Sequence, residues 1–180
     1  MIEAKRKIQG SDFFKEHAQW GIGRWANKED FKNGVVYSNR EARSLFGTKQ
    51  MTNFEPNILL NNGITAMLQL LATSGATQFN NANAYLGVGD STTAEVATQT
   101  ALQATTNKLF KAMDSTYPQV SAQTVTFQST YQGSEANFPW NEFGVANSSS
   151  GSVLLNRKVS SQGTKQISQI WTLQLAMTMS

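Results

Sequence analysis

The alternation of apolar and polar residues near the end of the chain constrains the fold more than any other feature of the sequence. From residue 167 to residue 180, every second position belongs to a mainly apolar set, and the positions between them are mainly polar. The first set is Ile167, Gln169, Trp171, Leu173, Leu175, Met177 and Met179. Successive side chains of a β-strand point to opposite faces of the sheet, so this segment predicts a long antiparallel strand with one buried face.

Further sequence patterns typical of strands occur after residue 83. Residues 124–131 alternate in the same way, with Val125, Phe127 and Tyr131 on one face and threonines on the other. The loop at 147–151, Asn-Ser-Ser-Ser-Gly, has the composition of a hairpin turn. Shorter strands are predicted at 84–88, 108–113, 142–146 and 152–159. The number and spacing of these strands predict a mainly β fold, an antiparallel β-sandwich or jelly-roll-like body with one packed α-helix.

Residues 56–75 carry the clearest helical pattern. Pro56 suits a first helical turn and Gly75 suits the residue after a helix end. One apolar stripe recurs at helical spacing: Leu60, Ile64, Met67, Leu68 and Leu71. We expect this stripe to face the core, the alternative being an amphipathic helix that binds a partner. Gly63 inside the helix predicts a close backbone contact, since glycine there costs about 1 kcal/mol relative to alanine.

Charged residues are rare after Glu55. The first 55 residues hold seventeen Asp, Glu, Lys and Arg residues, whereas the remaining 125 hold ten, and the net charge of +3 belongs to the first part. The chain is therefore predicted to divide into a charged, aromatic-rich, extended N-terminal arm at residues 1–55 and a helix plus β-sandwich domain at residues 56–180. Short helical turns are predicted in the arm at 11–19 and from Ser38, where Glu41 completes a capping box.

The arm supplies the candidate interface residues. Its first basic cluster and several aromatic residues have the side chains that are enriched at protein interfaces. These candidates are Lys5, Arg6, Lys7, Phe13, Phe14, Trp20, Arg24 and Trp25. An arm that docks on a neighbouring subunit and an arm wrapped on its own body both agree with this composition.

The composition also indicates which kinds of chemical site and partner are not expected. The chain has no cysteine and one histidine, so disulfides, thiol catalysis and a transition-metal site are not expected, and no cofactor is expected. No apolar run reaches the ~18 residues of a membrane-spanning helix, so no membrane partner is expected. The mild net charge does not predict a specific nucleic-acid partner. Charged residues at 15% lie below the usual ~25%, which suits a protein packed among copies of itself.

No set of residues predicts a catalytic site. The segment 87–91, Gly-Val-Gly-Asp-Ser, lacks the remaining residues of a nucleotide-binding motif and is interpreted as a turn between strands. His17 is interpreted as a surface or interface residue rather than a general base. Glu142 beside Trp140 is a weak candidate for a glycosidase carboxylate. The other carboxylates of the second part are interpreted as loop residues: Asp90, Glu95, Asp114 and Glu135.

Several segments together resemble the structural proteins of tailed bacteriophages. They are residues 57–64 (NILLNNGI), 85–91 (YLGVGDS), 117–118 (YP), 136–145 (ANFPWNEFGV), 155–158 (LNRK), 163–165 (GTK) and 171–173 (WTL). The resemblance implies a capsid-associated or tail-associated virion component, assembled in the host cytoplasm, and implies no catalytic residues. It does not extend to residues 1–55.

These observations predict a non-enzymatic virion structural protein. The leading hypothesis is a capsid decoration, or cement, protein that binds the phage major capsid protein as a homo-oligomer, expected to be a trimer, with the arm making lattice contacts. One alternative is a tail, fibre or baseplate component. Another is a carbohydrate-binding or wall-degrading domain built on Trp140 and Glu142.

Overall fold

The structure is a computed structural model that describes residues 16–180. This part of the chain contains ten strands and three helices. The strands are β1 (Glu16–Trp25), β2 (Met51–Phe54), β3 (Ile58–Leu59), β4 (Tyr85–Gly89), β5 (Lys108–Ala112), β6 (Gln119–Ser121), β7 (Thr124–Tyr131), β8 (Glu142–Ala146), β9 (Leu154–Val159) and β10 (Ile170–Met179). The helices are α1 (Lys28–Lys32), α2 (Asn39–Phe46) and α3 (Asn61–Ala72).

The strands form two antiparallel five-stranded sheets, which confirms the predicted β-sandwich. The first sheet has the order β2-β1-β10-β7-β6 and the second has the order β3-β9-β8-β4-β5. The bounds of β7 and β8 coincide with the predicted segments, and the serine-rich loop joins β8 to β9 as an antiparallel pair. Gly151 in that loop has φ +71°, a left-handed conformation that glycine adopts without strain.

The core lies between the two sheets. Alternate residues of β10 and β7 are buried, as their period-two pattern predicts, and they pack against β4 and β8. The largest buried side chains of this core include Trp20, Trp140, Trp171 and Phe143. The Tyr131 hydroxyl on β7 donates a 2.7 Å hydrogen bond to the Leu86 carbonyl on β4, so one buried polar contact joins the sheets directly.

Residues 16–55 are not an arm ahead of the sandwich. The strand β1 pairs with β10 along its whole length and with β2 on its other side, so it is an interior strand of the first sheet. The chain therefore has no structural boundary at residue 55. The helical turn predicted at 11–19 is wrong for 16–19, which belong to β1, and residues 11–15 lie outside the described part.

The helix α2 follows its sequence signals closely. Ser38 and Glu41 form the predicted capping box, and Gly47 ends the helix in a left-handed conformation with φ +71°. Ala42 and Phe46 are the buried residues of this helix. The Gln169 side chain donates a 2.9 Å hydrogen bond to the Leu45 carbonyl, which attaches α2 to the residues just before β10.

The helix α3 differs from its prediction in both start and orientation. It begins at Asn61 rather than near Pro56, because Ile58–Leu59 pairs with β9 as the short strand β3. Gly63 and Ala66 are its buried residues. A Cβ atom on Gly63 would overlap the Leu155 backbone, so the predicted close contact is confirmed. The prediction that the apolar stripe faces the core is wrong for most of the stripe.

None of the helices within residues 16–180 is long and apolar enough to cross a membrane.

Candidate assembly interface

The exposed side of α3 carries three large aliphatic residues, which we call the α3 apolar face: Ile64, Leu68 and Leu71. Their exposed fractions are 37%, 59% and 85%. The spacing i, i+4, i+7 places them in one row on the helix. The small residues Gly63 and Ala66 occupy the opposite side, against β9, because only small side chains permit so close an approach. Three of the five residues of the sequence stripe therefore point outward, whereas Leu60 is buried and Met67 packs against the core.

The helix that carries the α3 apolar face has no charged residue. No Asp, Glu, Lys, Arg or His occurs between Glu55 and Asp90, a segment that includes the whole helix. An open depression of about 510 Å³ lies on another side of the helix, where Ala66 and Gln69 line it together with Asn147 and Ser152. A partner covering the α3 apolar face would therefore not need to neutralise a charge on the helix.

Burial of such a face favours association. Covering one exposed Leu side chain completely contributes about 1.5–3 kcal/mol through the hydrophobic effect. Scattered single apolar residues are ordinary on protein surfaces, whereas an aligned set with a polar rim is typical of contact surfaces. The arrangement supports binding of another macromolecule and offers no reacting group.

The predicted interface residues of β1 occupy other places. Trp20 and Arg24 are fully buried, which corrects their assignment to an exposed interface. They point inward because they occupy the alternate positions of an interior strand. Trp25 is partly buried and packs edge to face on Phe31, with ring centroids 5.0 Å apart. The remaining candidates, Lys5, Arg6, Lys7, Phe13 and Phe14, lie outside the described residues and stay predictions.

Trp140 and Glu142 do not form a carbohydrate site. Both side chains are fully buried, and the Trp140 indole N–H donates to the Ala136 carbonyl at 3.0 Å. The hypothesis of a glycosidase carboxylate is therefore wrong for Glu142, since no substrate reaches it. Burial of a charged residue requires a structural explanation, which its hydrogen bonds provide.

Glu142 is one half of a buried ion pair. Its carboxylate accepts hydrogen bonds from the backbone N–H groups of Gln103 and Ala104, at 2.8 and 2.6 Å. It also accepts from the Arg157 guanidinium, whose Nη2 lies 2.7 Å from Glu142 Oε2. The remaining Arg157 donors bond the carbonyls of Thr93 and Ala94 and the Gln99 side chain. The pair thus holds the long β4–β5 connection against β8 and β9.

Sequence reasoning missed this ion pair. Glu142 and Arg157 occupy different strands, and their loop partners are about forty to sixty residues away in the chain. A single glutamate and a single arginine in a weakly charged region do not indicate which of them pair. The only available signal was their occurrence within otherwise apolar strand segments.

Other sequence candidates also have structural roles. Gly87 and Gly89 lie inside β4 rather than in a turn, where their missing side chains leave room for Phe110 and Glu142. His17 is exposed, with Nε2 3.5 Å from a Glu55 carboxylate oxygen. Asp114 accepts hydrogen bonds from the Thr130 backbone and hydroxyl at 3.0 and 2.8 Å. Within residues 16–180 no group of three or more His, Asp or Glu side chains forms a candidate metal site.

Comparison of the chain with protein-family models, with curated proteins and with solved structures finds no match.

Proposed function

We propose that this protein is a structural component of a tailed-phage virion, and that it acts as a capsid decoration, or cement, protein. The observation that carries the proposal is the α3 apolar face, an aligned row of exposed aliphatic residues on a helix without charged residues. The low charge of the chain and the segments that resemble phage structural proteins support the same assignment.

The occupant of the α3 apolar face in this proposal is a second copy of the chain. A surface without charges has no like-charge repulsion when it meets itself, and its hydroxyl and amide groups serve as both donors and acceptors. Stable interfaces bury about 800 Å² per partner, so the polar rim around the helix would take part as well. The expected oligomer is a trimer with α3 of each copy at the subunit contact.

The oligomer would bind the major capsid protein and bridge adjacent capsid subunits. Such bridging buries additional surface across subunit boundaries, so the shell resists the pressure of the packaged DNA. Residues 1–15, with the candidates Lys5, Arg6, Lys7, Phe13 and Phe14, are the segment that we expect to make the capsid contact. This role needs binding surfaces and a stable body, and it uses no catalytic group.

The first test measures the oligomeric state of the purified full chain. Light scattering coupled to size-exclusion chromatography should give the mass of an oligomer for the wild type and of a monomer for Leu68→Lys/Leu71→Lys. The matched control is Val120→Lys, which places a lysine at an equally exposed aliphatic position on β6 and should leave the oligomer intact. A monomeric wild type, or dissociation by the control, would contradict self-association through α3.

The second test places the protein in the virion. Immunogold labelling of intact phage should mark heads, and purified protein should bind capsids that lack it and raise their resistance to heat. Label confined to tails would reject decoration in favour of a tail, fibre or baseplate component. Deletion of residues 1–15 should abolish capsid binding while the circular dichroism spectrum of the sandwich is retained.

A further inference from the structure

The two buried arginines of the sandwich have different electrostatic environments. Arg24 and Arg157 are both fully buried. Arg157 is paired with the Glu142 carboxylate, as described above. No carboxylate in residues 16–180 lies within 4.0 Å of the Arg24 guanidinium nitrogens, and Arg24 Nε is buried without a hydrogen-bond acceptor.

Arg24 is held by neutral groups only. One terminal nitrogen donates to the Lys49 carbonyl at 3.2 Å and to Thr52 Oγ1 at 2.9 Å. The other donates to the Gln162 carbonyl at 2.9 Å, and the guanidinium carbon lies 4.6 Å from the centre of the Trp171 ring. Burial lowers the pKa of Arg24 to about 10, so the side chain stays protonated at neutral pH. The positive charge therefore remains without a counter-charge in the described part of the chain.

The groups that hold Arg24 are also the floor of a surface groove. Lys49 and Thr52 line a depression of about 690 Å³ together with Arg43. Gln162 lines an adjoining depression of about 540 Å³, and Gly47 and Thr48 belong to both. We call this surface the basic groove, defined by Arg43, Gly47, Thr48, Lys49, Thr52 and Gln162.

The basic groove contains cations and hydrogen-bond donors but no acid. Arg43 and Lys49 are exposed, and no Asp or Glu lines either depression. Arg24 donates a hydrogen bond to Thr52 of the lining, so its buried charge lies behind a surface that already carries Arg43 and Lys49. A concave surface with charges of one sign concentrates counter-ions, and low-dielectric surroundings strengthen the attraction.

We propose that the basic groove is an oxyanion-binding site, which takes a carboxylate or phosphate group between Arg43 and Lys49 above the buried Arg24. The Arg43 guanidinium and the Lys49 ammonium would donate charge-assisted hydrogen bonds, and the exposed edge of Thr48 supplies a further donor. The bound anion would compensate the Arg24 charge, as Glu142 compensates Arg157. This site is separate from the α3 apolar face and does not depend on the proposed virion role.

The test uses the full chain and measures its melting temperature at constant ionic strength, with chloride replaced stepwise by inorganic phosphate. Saturable binding should raise Tm by about 3 to 6 °C at about ten times the Kd. Binding of carboxylate groups is measured separately, by calorimetric titration with a hexaglutamate peptide. Tighter binding of the peptide identifies a protein acid as the natural group, and tighter binding of phosphate identifies a phosphate source.

The matched variants have the same change in net charge. Arg43→Gln/Lys49→Gln should weaken binding of both probes at least about tenfold, since both charged donors are lost. Lys28→Gln/Lys32→Gln removes two exposed charges from α1, outside the groove, and should leave binding unchanged. Absence of saturable binding in the wild type, or equal weakening by both double variants, would overturn the proposal.

Discussion

The Arg157 guanidinium lies 2.7 Å from the Glu142 carboxylate, and neither side chain has any exposed surface. The carboxylate also receives the backbone N–H groups of Gln103 and Ala104, so the pair connects two strands of the sandwich to a loop that has little regular structure. Each charge compensates the other, so removing one of them leaves the other buried without a counter-charge.

Glu142→Gln should therefore destabilise the protein by about 3–5 kcal/mol, because it keeps the shape of the side chain and leaves Arg157 buried without a counter-charge. Urea unfolding followed by tryptophan fluorescence measures the change. Glu135→Gln is the control, since the Glu135–Lys111 pair is partly exposed and such pairs contribute at most about 1 kcal/mol. A loss below that level for Glu142→Gln would contradict a structural role for the buried pair.

Gly63→Ala should destabilise the protein by about 1–3 kcal/mol, although alanine is the better helix former. The added methyl group overlaps the backbone of Leu155, so α3 must move away from β9. Thermal unfolding measures the effect, with Gln69→Ala on the exposed side of the same helix as the control. Equal stability of Gly63→Ala and wild type would show that α3 does not depend on this close contact.

Tyr131→Phe should cost about 1–2 kcal/mol, because it removes the hydroxyl that donates to the Leu86 carbonyl between the sheets. Burial raises the pKa of Tyr131 well above its ordinary value, so the hydroxyl remains a donor at high pH. Chemical denaturation measures the change. Tyr85→Phe removes a hydroxyl with no hydrogen bond among the described residues, and a cost equal to that of Tyr131→Phe would contradict the interpretation.

Lys165→Met should change how stability depends on pH. Burial lowers the pKa of Lys165 from 10.5 to about 8, although Glu135 opposes this shift. Between pH 8 and 10.5 the unfolded chain binds more protons at this position than the folded chain, so Lys165 makes stability increase with pH across that window.

Between pH 8 and 10.5, the unfolding free energy of the wild type should therefore increase with pH relative to that of Lys165→Met. The loss of the hydrogen bonds from Lys165 to Gln132 and Asn137 displaces the whole curve of the variant and does not produce this slope. Parallel curves for the two proteins would reject the lowered pKa.

The sequence predicts those elements whose side chains alternate regularly between core and solvent. β7 and β10 belong to this class. The start of α2 is predicted for another reason, namely its capping box. β1 also alternates in the fold, but its sequence does not show it, because Gly21 and Gly23 occupy outward positions and the charged Arg24 points inward. Its pattern therefore resembles an irregular charged segment, and only pairing with β10 turns it into an interior strand.

The orientation of α3 and the basic groove were not predictable for a different reason. Helix orientation depends on how closely each face approaches β9, and Gly63 permits an approach that the larger stripe residues do not. The groove joins residues from α2, the following turn, β2 and the β9–β10 connection, around a buried residue of β1. Such proximity arises from tertiary packing and leaves no local pattern in the sequence.

The attachment of α3 through Gly63 and Ala66 has a consequence for the proposed oligomer. Leu68 and Leu71 are mostly exposed and contribute little to holding the helix in place, since the small residues on its other side do so. In the proposed oligomer, substitutions of these two residues would change the association of subunits and leave the sandwich stable. The subunit contact and the stability of the fold would then depend on different residues of the same helix.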